Sequence, residues 1–385
     1  MKELKKLFKD MDKILLITSV ILFVFGLLNI VTASSKSAVV NYNTSLYSYF
    51  FKQLFSLILG LVISFIIITK PTKKYSFWGT LAYIVVLGLL IYVKMFVQPH
   101  NGSQNWIKIP GFGTLQPSEF SKLAMIIVIS LLFEKFYKKL RNPNINHYDM
   151  IGIILIVGLI FPAIIFIEKD LGTAIIVAII FGILFLASPI LKHEKLKVIG
   201  LGVILVFIAC SYLIAKTGGI LTPSQMSRFD FFNPCEDYYD GGYQICNGFI
   251  AINDGGLLGV GIGNSKQVSY IPESHTDSVF AIIAEQYGLI ICTFIFLAYF
   301  IVLFRILKLS SRTSMIKGKY ICLGVAVYIF LHFFINLGGL FGIMPLTGVP
   351  LPFLSYGGSY TLCLVVSLAV VQRIHIETER EKIKV

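Results

Sequence analysis

The chain has 385 residues, 33 basic and 20 acidic, for a formal net charge of +13, and it is 56% apolar and only 14% charged, with a mean hydropathy of +0.81. Soluble domains carry about 25% charged residues, so this composition excludes a soluble globular enzyme, a disordered chain and a secreted disulfide scaffold. It fits an all-α polytopic membrane protein, and at about 20 apolar residues per crossing the length allows at most about a dozen spans and no separate soluble domain.

Hydropathy predicts ten transmembrane helices, over 14–33, 53–69, 77–95, 117–134, 150–168, 171–188, 198–215, 277–304, 320–339 and 356–372. The basic N-terminus MKELKKLFKDMDK precedes a long apolar run without a convincing cleavage context, so it reads as an uncleaved first helix rather than a signal peptide. With both termini inside, the inner segments are 1–13, 70–76, 135–149, 189–197, 305–319 and 373–385. They hold 24 of the 33 Lys and Arg residues, and every one of them is basic. That is the positive-inside pattern, and it accounts for the net charge without nucleic acid. The expected organisation is one integral membrane domain over 1–385, with a cytoplasmic N-terminus at 1–13, a large outer loop at 216–276 between helices 7 and 8, and a cytoplasmic tail at 373–385. Residues 340–355, LFGIMPLTGVPLPFLS, are apolar but broken by three prolines. Proline removes backbone donors, so this stretch predicts a re-entrant segment beside a cavity rather than a regular helix.

Of six cysteines, Cys210, Cys292, Cys322 and Cys363 lie in spans, while Cys235 and Cys246 share the long outer loop, where an oxidising exterior permits a disulfide without requiring one. No second Cys pair or His stands at zinc-ligand spacing.

Charges at membrane depth are functional hypotheses by default. In QPSEFSK, Glu119 and Lys122 lie three apart on one helical face, either neutralising each other or offering Lys122 to an anionic headgroup. The hinge IEKDLGTA carries Glu168, Lys169 and Asp170, either a solvated turn or a polar wall of a cavity. The sharpest cluster is PESHTDSVFAIIAEQYG. Asp277 there can cap the next helix or, at a half-buried membrane edge, serve as a general base, and Glu285 two turns deeper is hard to explain by capping. DGGLLGVGIGNSKQ has glycine spacing but follows no strand. It suggests tight turns or close backbone packing, not a dinucleotide site. Ser355 and a Gly-Gly pair open the last span in PFLSYGGSYTL.

Taken together, NGSQNWIKIPGFGTLQPSEFSK, EKDLGTA, GGYQICNGFIAINDGGLLGVGIGNSKQ, PESHTDSVFAIIAEQYG and GIMPLTGVPLPFLSYGGS resemble, in order, the SEDS family of shape, elongation, division and sporulation proteins (RodA, FtsW, SpoVE) from about residue 10 to 375. The resemblance implies a ten-span, inverting peptidoglycan glycosyltransferase. Such an enzyme polymerises lipid II into undecaprenyl-linked glycan at the outer face of the bacterial cytoplasmic membrane, beside a class B penicillin-binding protein. It implies Asp277 as the catalytic residue. Trp106, Glu119, Lys122 and Arg228 become substrate-binding candidates, joined by their motif neighbours Glu273, His275 and Ser355. Departures are Ser278 where the family often has Phe, Gln286 where it has a second Glu, and EKDLGT for QPDLGT or EPDLGT. These leave the elongation, division or sporulation branch open.

The chemistry is consistent with that expectation. A sugar hydroxyl needs one base to become nucleophilic at an anomeric carbon, and cations must offset the pyrophosphate charge. Lys122, Arg228 or a divalent ion (Mg or Mn) can supply them, with no organic cofactor. The rival readings are a flippase of lipid-linked precursors, which needs charges along a path through the bilayer, and a non-catalytic scaffold for the penicillin-binding protein.

Overall fold

The computed structural model describes residues 7–38, 44–98, 105–109, 113–202, 234–236 and 242–382. Its long helices are α1 (Lys13–Ala33), α2 (Ser48–Thr69), α3 (Tyr75–Phe96), α4 (Pro117–Leu140), α5 (Tyr148–Ile167) and α6 (Leu171–Ala187). They are followed by α7 (Tyr243–Gly255), α8 (Val279–Arg312), α9 (Ile316–Leu340) and α10 (Gly358–Lys382). Between α3 and α4 lies a two-stranded antiparallel hairpin, β1 (Ile107–Ile109) and β2 (Gly113–Leu115), in which Ile107 faces Leu115. Among the described residues, seven helices are long and apolar enough to cross a membrane, and the chain is a multi-pass helical membrane protein. Of the ten predicted spans, the seventh, 198–215, lies mostly outside the described residues.

The helices are apolar on most of their circumference, as lipid demands. The innermost are α9 and α10, whose most apolar stretches are 67% and 83% buried, whereas α1 to α3 bury only 22–33% and turn Phe51, Phe65 and Trp78 outward. Local chemistry sets the helix starts. The Asp12 carboxylate accepts from Leu15 N at 3.1 Å to cap α1, Pro117 opens α4, and the Asp170 carboxylate accepts from Thr173 N at 3.1 Å to cap α6.

Several elements depart from the expected bounds. The segment expected to be a tail at 373–385 is helical through Lys382 and half inside the bundle. Arg373 is bonded to Glu377 at 2.7 Å, Arg380 to Asp10 at 2.8 Å, and the Gln372 amide bridges to Asp12. The expected span 277–304 is two helices in one, because α8 breaks at Gly288, whose φ of 74° only glycine adopts without strain. The bonds lost at the break are replaced by the glycine-rich run. Val260 N donates to Glu285 O (2.9 Å), Gly261 N to Gln286 O (3.1 Å), and Leu289 N to Gly256 O (2.9 Å). Close backbone packing is therefore the work of that run. The Glu285 carboxylate turns the same way, accepting from Lys266 N at 2.8 Å, Gln267 N at 3.3 Å and the Ser265 hydroxyl. It anchors the loop, which accounts for an interior carboxylate that helix capping alone did not explain.

The proline-rich stretch after α9 is irregular; Phe341 and Ile343 at its start are exposed, and Val349, Leu351, Phe353 and Leu354 further on lie in the core. Its backbone is satisfied by side chains of the surrounding helices, as irregular chain at membrane depth requires. Asn336 donates to Val349 O at 2.8 Å, and the Tyr299 hydroxyl donates to Pro352 O. Among the described residues, three non-glycine residues hold left-handed backbone: Lys169, Glu273 and Phe353. All three lie in the loops that frame the site described next, where such strain tends to gather.

Candidate active site

Asp277 sits one residue before the cap of α8, buried, with its main chain and its carboxylate gripped from different helices. Asn336 on α9 donates to Asp277 O at 2.7 Å, and Gln244 on α7 donates to Asp277 Oδ1 at 3.2 Å. The other oxygen, Oδ2, faces Gly348, where an added Cβ would lie 3.9 Å away. Burial, helped by the nearby Glu273 carboxylate, pushes the Asp277 carboxyl from 3.8 up to about 7, against the hydrogen bond from Gln244. A carboxylate with a midpoint near neutrality is matched to general-base work at physiological pH.

The neighbouring candidates divide by role. Glu273 is exposed, and its carboxylate accepts from the Thr276 hydroxyl at 2.9 Å. His275 is buried between aromatic rings, 4.5 Å from Tyr49 and 5.7 Å from Tyr356 by centroid. Burial lowers its pKa below 6.5, so it stays neutral at pH 7, and its Nδ1 has no hydrogen-bond partner among the described residues. The Ser355 hydroxyl is engaged on both sides, accepting from Leu351 N at 2.7 Å and donating to Thr276 O. It therefore splices the proline-rich segment to the HTD turn, one residue from Asp277, rather than pointing a free hydroxyl at a ligand. Tyr356 N reinforces the splice, donating to His275 O at 2.8 Å.

Glu119 and Lys122 form a closed cluster. Lys122 is fully buried. Its Nζ lies 2.8 Å from both Glu119 oxygens and 2.9 Å from His332 Nε2, with the rings of Tyr328 and Tyr360 at 5.5 and 5.9 Å. An ammonium only donates, so His332 Nε2 accepts and its proton sits on Nδ1, directed to Pro350 O at 3.3 Å. The lysine's charge is thus met by Glu119 and its donors are committed, the pairing alternative of the two that the spacing allowed. The cluster reaches Asp277 through α9, where His332 holds Pro350 and Asn336, one turn on, holds both Val349 and Asp277.

Trp106 is exposed beside β1. Its neighbour Asn105 donates to Asp170 Oδ2 at 3.0 Å, and Gln116 Nε2 donates to the same oxygen at 3.0 Å. Asp170 therefore ties the Trp106 loop to the starts of α4 and α6 and is not a solvated turn. Both oxygens of Glu168 are buried without a hydrogen-bond partner among the described residues, and burial, with Asp170 beside it, raises its pKa to about 8. Arg228 lies outside the described residues. Cys235 and Cys246 are joined in a disulfide two residues from Gln244. Among the described residues no group of three or more His, Cys, Asp or Glu side chains has metal-holding geometry. The described residues do not form a protein cage for a divalent ion.

Sequence reasoning did not single out Gln244, His332, Asn336 or Tyr49. The signal for His332 and Asn336 is two polar residues four apart in an otherwise apolar helix, which places both on one face.

The family profile described as "Cell cycle protein" (FTSW_RODA_SPOVE) matches residues 12–380. The chain is 31% identical to the probable peptidoglycan glycosyltransferase FtsW of Bacillus subtilis over 377 residues, covering 96% of this chain and 92% of that one. It is also 31% identical to stage V sporulation protein E of the same organism, covering 94% and 96%. Its fold is similar to the crystal structure of the rod shape determining protein RodA of Thermus thermophilus, with a TM-score of 0.66 at 20% identity, covering 96% of this chain and 97% of that one. It is also similar to a chain from a structure of a peptidoglycan synthase complex, with a TM-score of 0.73 at 21% identity, covering 96% and 98%. The profile spans nearly the whole sequence and the relatives match end to end, so the chain belongs to the FtsW/RodA/SpoVE family of cell cycle proteins.

Proposed function

We propose that this protein is a peptidoglycan glycosyltransferase that polymerises lipid II at the outer face of the bacterial cytoplasmic membrane, with Asp277 as the general base. The observation that carries the reading is the held, buried carboxylate of Asp277, poised near neutrality in a chain whose relatives are named as probable glycosyltransferases. Asp277 Oδ2 takes the proton of the acceptor sugar hydroxyl as its oxygen bonds to the anomeric carbon. The bond from that carbon to the pyrophosphate oxygen breaks, the lipid pyrophosphate leaves with the electron pair, and configuration inverts. Protonated Asp277 cannot accept, so the rate rises with pH through about 7.

Trp106, exposed on its anchored loop, offers a flat face to a sugar ring. Glu119, Lys122 and Ser355 support the site through the segment they hold rather than by touching the headgroup. Of the two candidate protein cations, Arg228 is the one left for the pyrophosphate, and a divalent ion carried in by the pyrophosphate is the other source of charge. A class B penicillin-binding protein is the proposed partner, in keeping with the synthase complex whose chain has this fold.

The flippase reading draws on one observation, the charged cluster of Glu119, Lys122 and His332 inside the bundle. Its donors are closed on one another, which favours a structural post over a transport path. Purified protein in proteoliposomes, with and without the transpeptidase, separates the two readings. The glycosyltransferase reading requires glycan polymer from lipid II supplied on the Asp277 side, and transbilayer movement of lipid II without polymer would overturn it.

A further inference from the structure

The first turn of α7 points one side chain at the carboxylate proposed above as the base. The Gln244 amide has two hydrogens, and both are used: Nε2 lies 3.2 Å from Asp277 Oδ1 and 2.7 Å from Ser278 Oγ. An amide held at two points has its plane fixed, so it presents its donor in one direction. The backbone beneath it is also held. Cys246, two residues along, is bonded to Cys235, and Ile245, Cys246 and Asn247 are buried. On the other side of Asp277, Asn336 pins the main-chain carbonyl at 2.7 Å. With its backbone fixed from α9, the carboxylate has one main freedom left, rotation of the side chain, and Gln244 restrains it from a neighbouring helix, beside the Thr276 hydroxyl of its own turn.

We propose that Gln244 is a positioning residue for the transfer reaction, holding Asp277 Oδ1 so that Oδ2 faces the space beside Gly348 that the acceptor hydroxyl must enter. The proposal rests on the general-base reading of Asp277. Gly348 has a φ of 68° and no side chain, leaving that approach clear. The amide also has an electrostatic effect. Among the described residues, the titratable group that acts on the Asp277 carboxyl is Glu273, on its own turn with Thr276, while α7 presents Gln244, α9 presents Asn336 and the proline-rich segment presents Gly348. Glu273 and burial favour the protonated acid. Gln244 favours the carboxylate, which is the form that can accept a proton.

The test compares wild type with Gln244→Leu, which removes the donor, and Gln244→Glu, which keeps shape and length but adds a carboxylate. Each is measured as full-length protein in nanodiscs polymerising lipid II from pH 5.5 to 9.5, with Asp277→Asn as the reference. For Gln244→Leu the expected result is a kcat at pH 7 lower by roughly tenfold or more, an acidic limb moved to higher pH, partial recovery at pH 9 and little change in KM. Gln244→Glu should move the limb further, since two adjacent carboxylates resist joint ionisation. Retention of the Cys235–Cys246 disulfide and the wild-type melting temperature shows that α7 is intact. If Gln244→Leu does not fold, Gln244→Glu alone decides the matter. An unchanged limb in the folded variants, or a loss uniform across pH, would overturn the positioning role while an inactive Asp277→Asn leaves the base reading standing. Full activity in Asp277→Asn would remove the base reading and this proposal with it.

Discussion

A base kept ready in a buried site should cost the folded protein stability, and Asp277→Asn exposes that cost. The Asp277 carboxyl sits near 7 in the fold against 3.8 for a free side chain, chiefly because burial disfavours the charge. The folded state binds this proton more tightly than the unfolded chain does. The group's stabilising contribution is therefore full below pH 3.8 and lost as pH rises through about 7. At about 1.4 kcal/mol per pH unit, the full loss above pH 7 is on the order of 4 kcal/mol. Asparagine has no charge to desolvate and can still accept from Gln244 through its amide oxygen. The Asp277→Asn protein should thus be more stable than wild type by about 2–4 kcal/mol at pH 8, with the gap nearly closed at pH 4. Thermal melting in detergent, followed by intrinsic tyrosine and tryptophan fluorescence, reads this across the pH range. A variant no more stable than wild type at pH 8, or a gap of constant size from pH 4 to 8, would refute the reasoning.

Three further outcomes follow from the contacts. Lys122→Met strands the Glu119 charge and should destabilise the fold by about 3–5 kcal/mol, whereas Glu119→Gln with Lys122→Met should recover much of that loss, as a double-mutant melting cycle would show. Cys235→Ser opens an eleven-residue separation and should lower stability by about 3 kcal/mol, with reductant doing the same to wild type and nothing further to the variant. Ser355→Ala leaves the Leu351 N–H and the Thr276 carbonyl without their partner. It should cost about 1–3 kcal/mol and lower kcat with KM for lipid II held; a rise in KM alone would instead place the hydroxyl on the substrate.

Much of the fold was legible because lipid leaves a strong mark on composition. The runs that became α1, α2, α3, α5, α8, α9 and α10 each hold a stretch long and apolar enough to cross a membrane. The ends were less legible. Hydropathy ends α10 near residue 372, but the helix continues to Lys382 because Arg373 and Glu377 pair along it, Glu377 accepts from Thr72 N and Arg380 pairs with Asp10. The break at Gly288 was hidden, since a glycine in an apolar run is common and its partner strand of backbone lies some thirty residues earlier.

The site shows the same division. Glu273, His275 and Asp277 stand in one motif, so their proximity is local. Gln244 and Asn336 come from α7 and α9 and are brought to Asp277 only by packing, and packing likewise brings His332 of α9 to Lys122 and Pro350. Spacing put Glu119 and Lys122 on one face, but it did not count donors, and His332 closes the cluster from a helix 210 residues away. Ser355 was visible as a small residue at a helix entrance, while its two backbone partners were not.

The measurement closest to the central claim is glycan synthesis by purified Asp277→Asn protein. The variant and wild type should be compared in the same nanodiscs, at pH 7.5, with lipid II and the transpeptidase partner supplied to both. The substitution keeps size and an oxygen to accept from Gln244 while removing basicity. The account predicts a folded protein that still binds lipid II but makes polymer at least about a hundredfold more slowly. Polymer formed by that variant at close to the wild-type rate would contradict it.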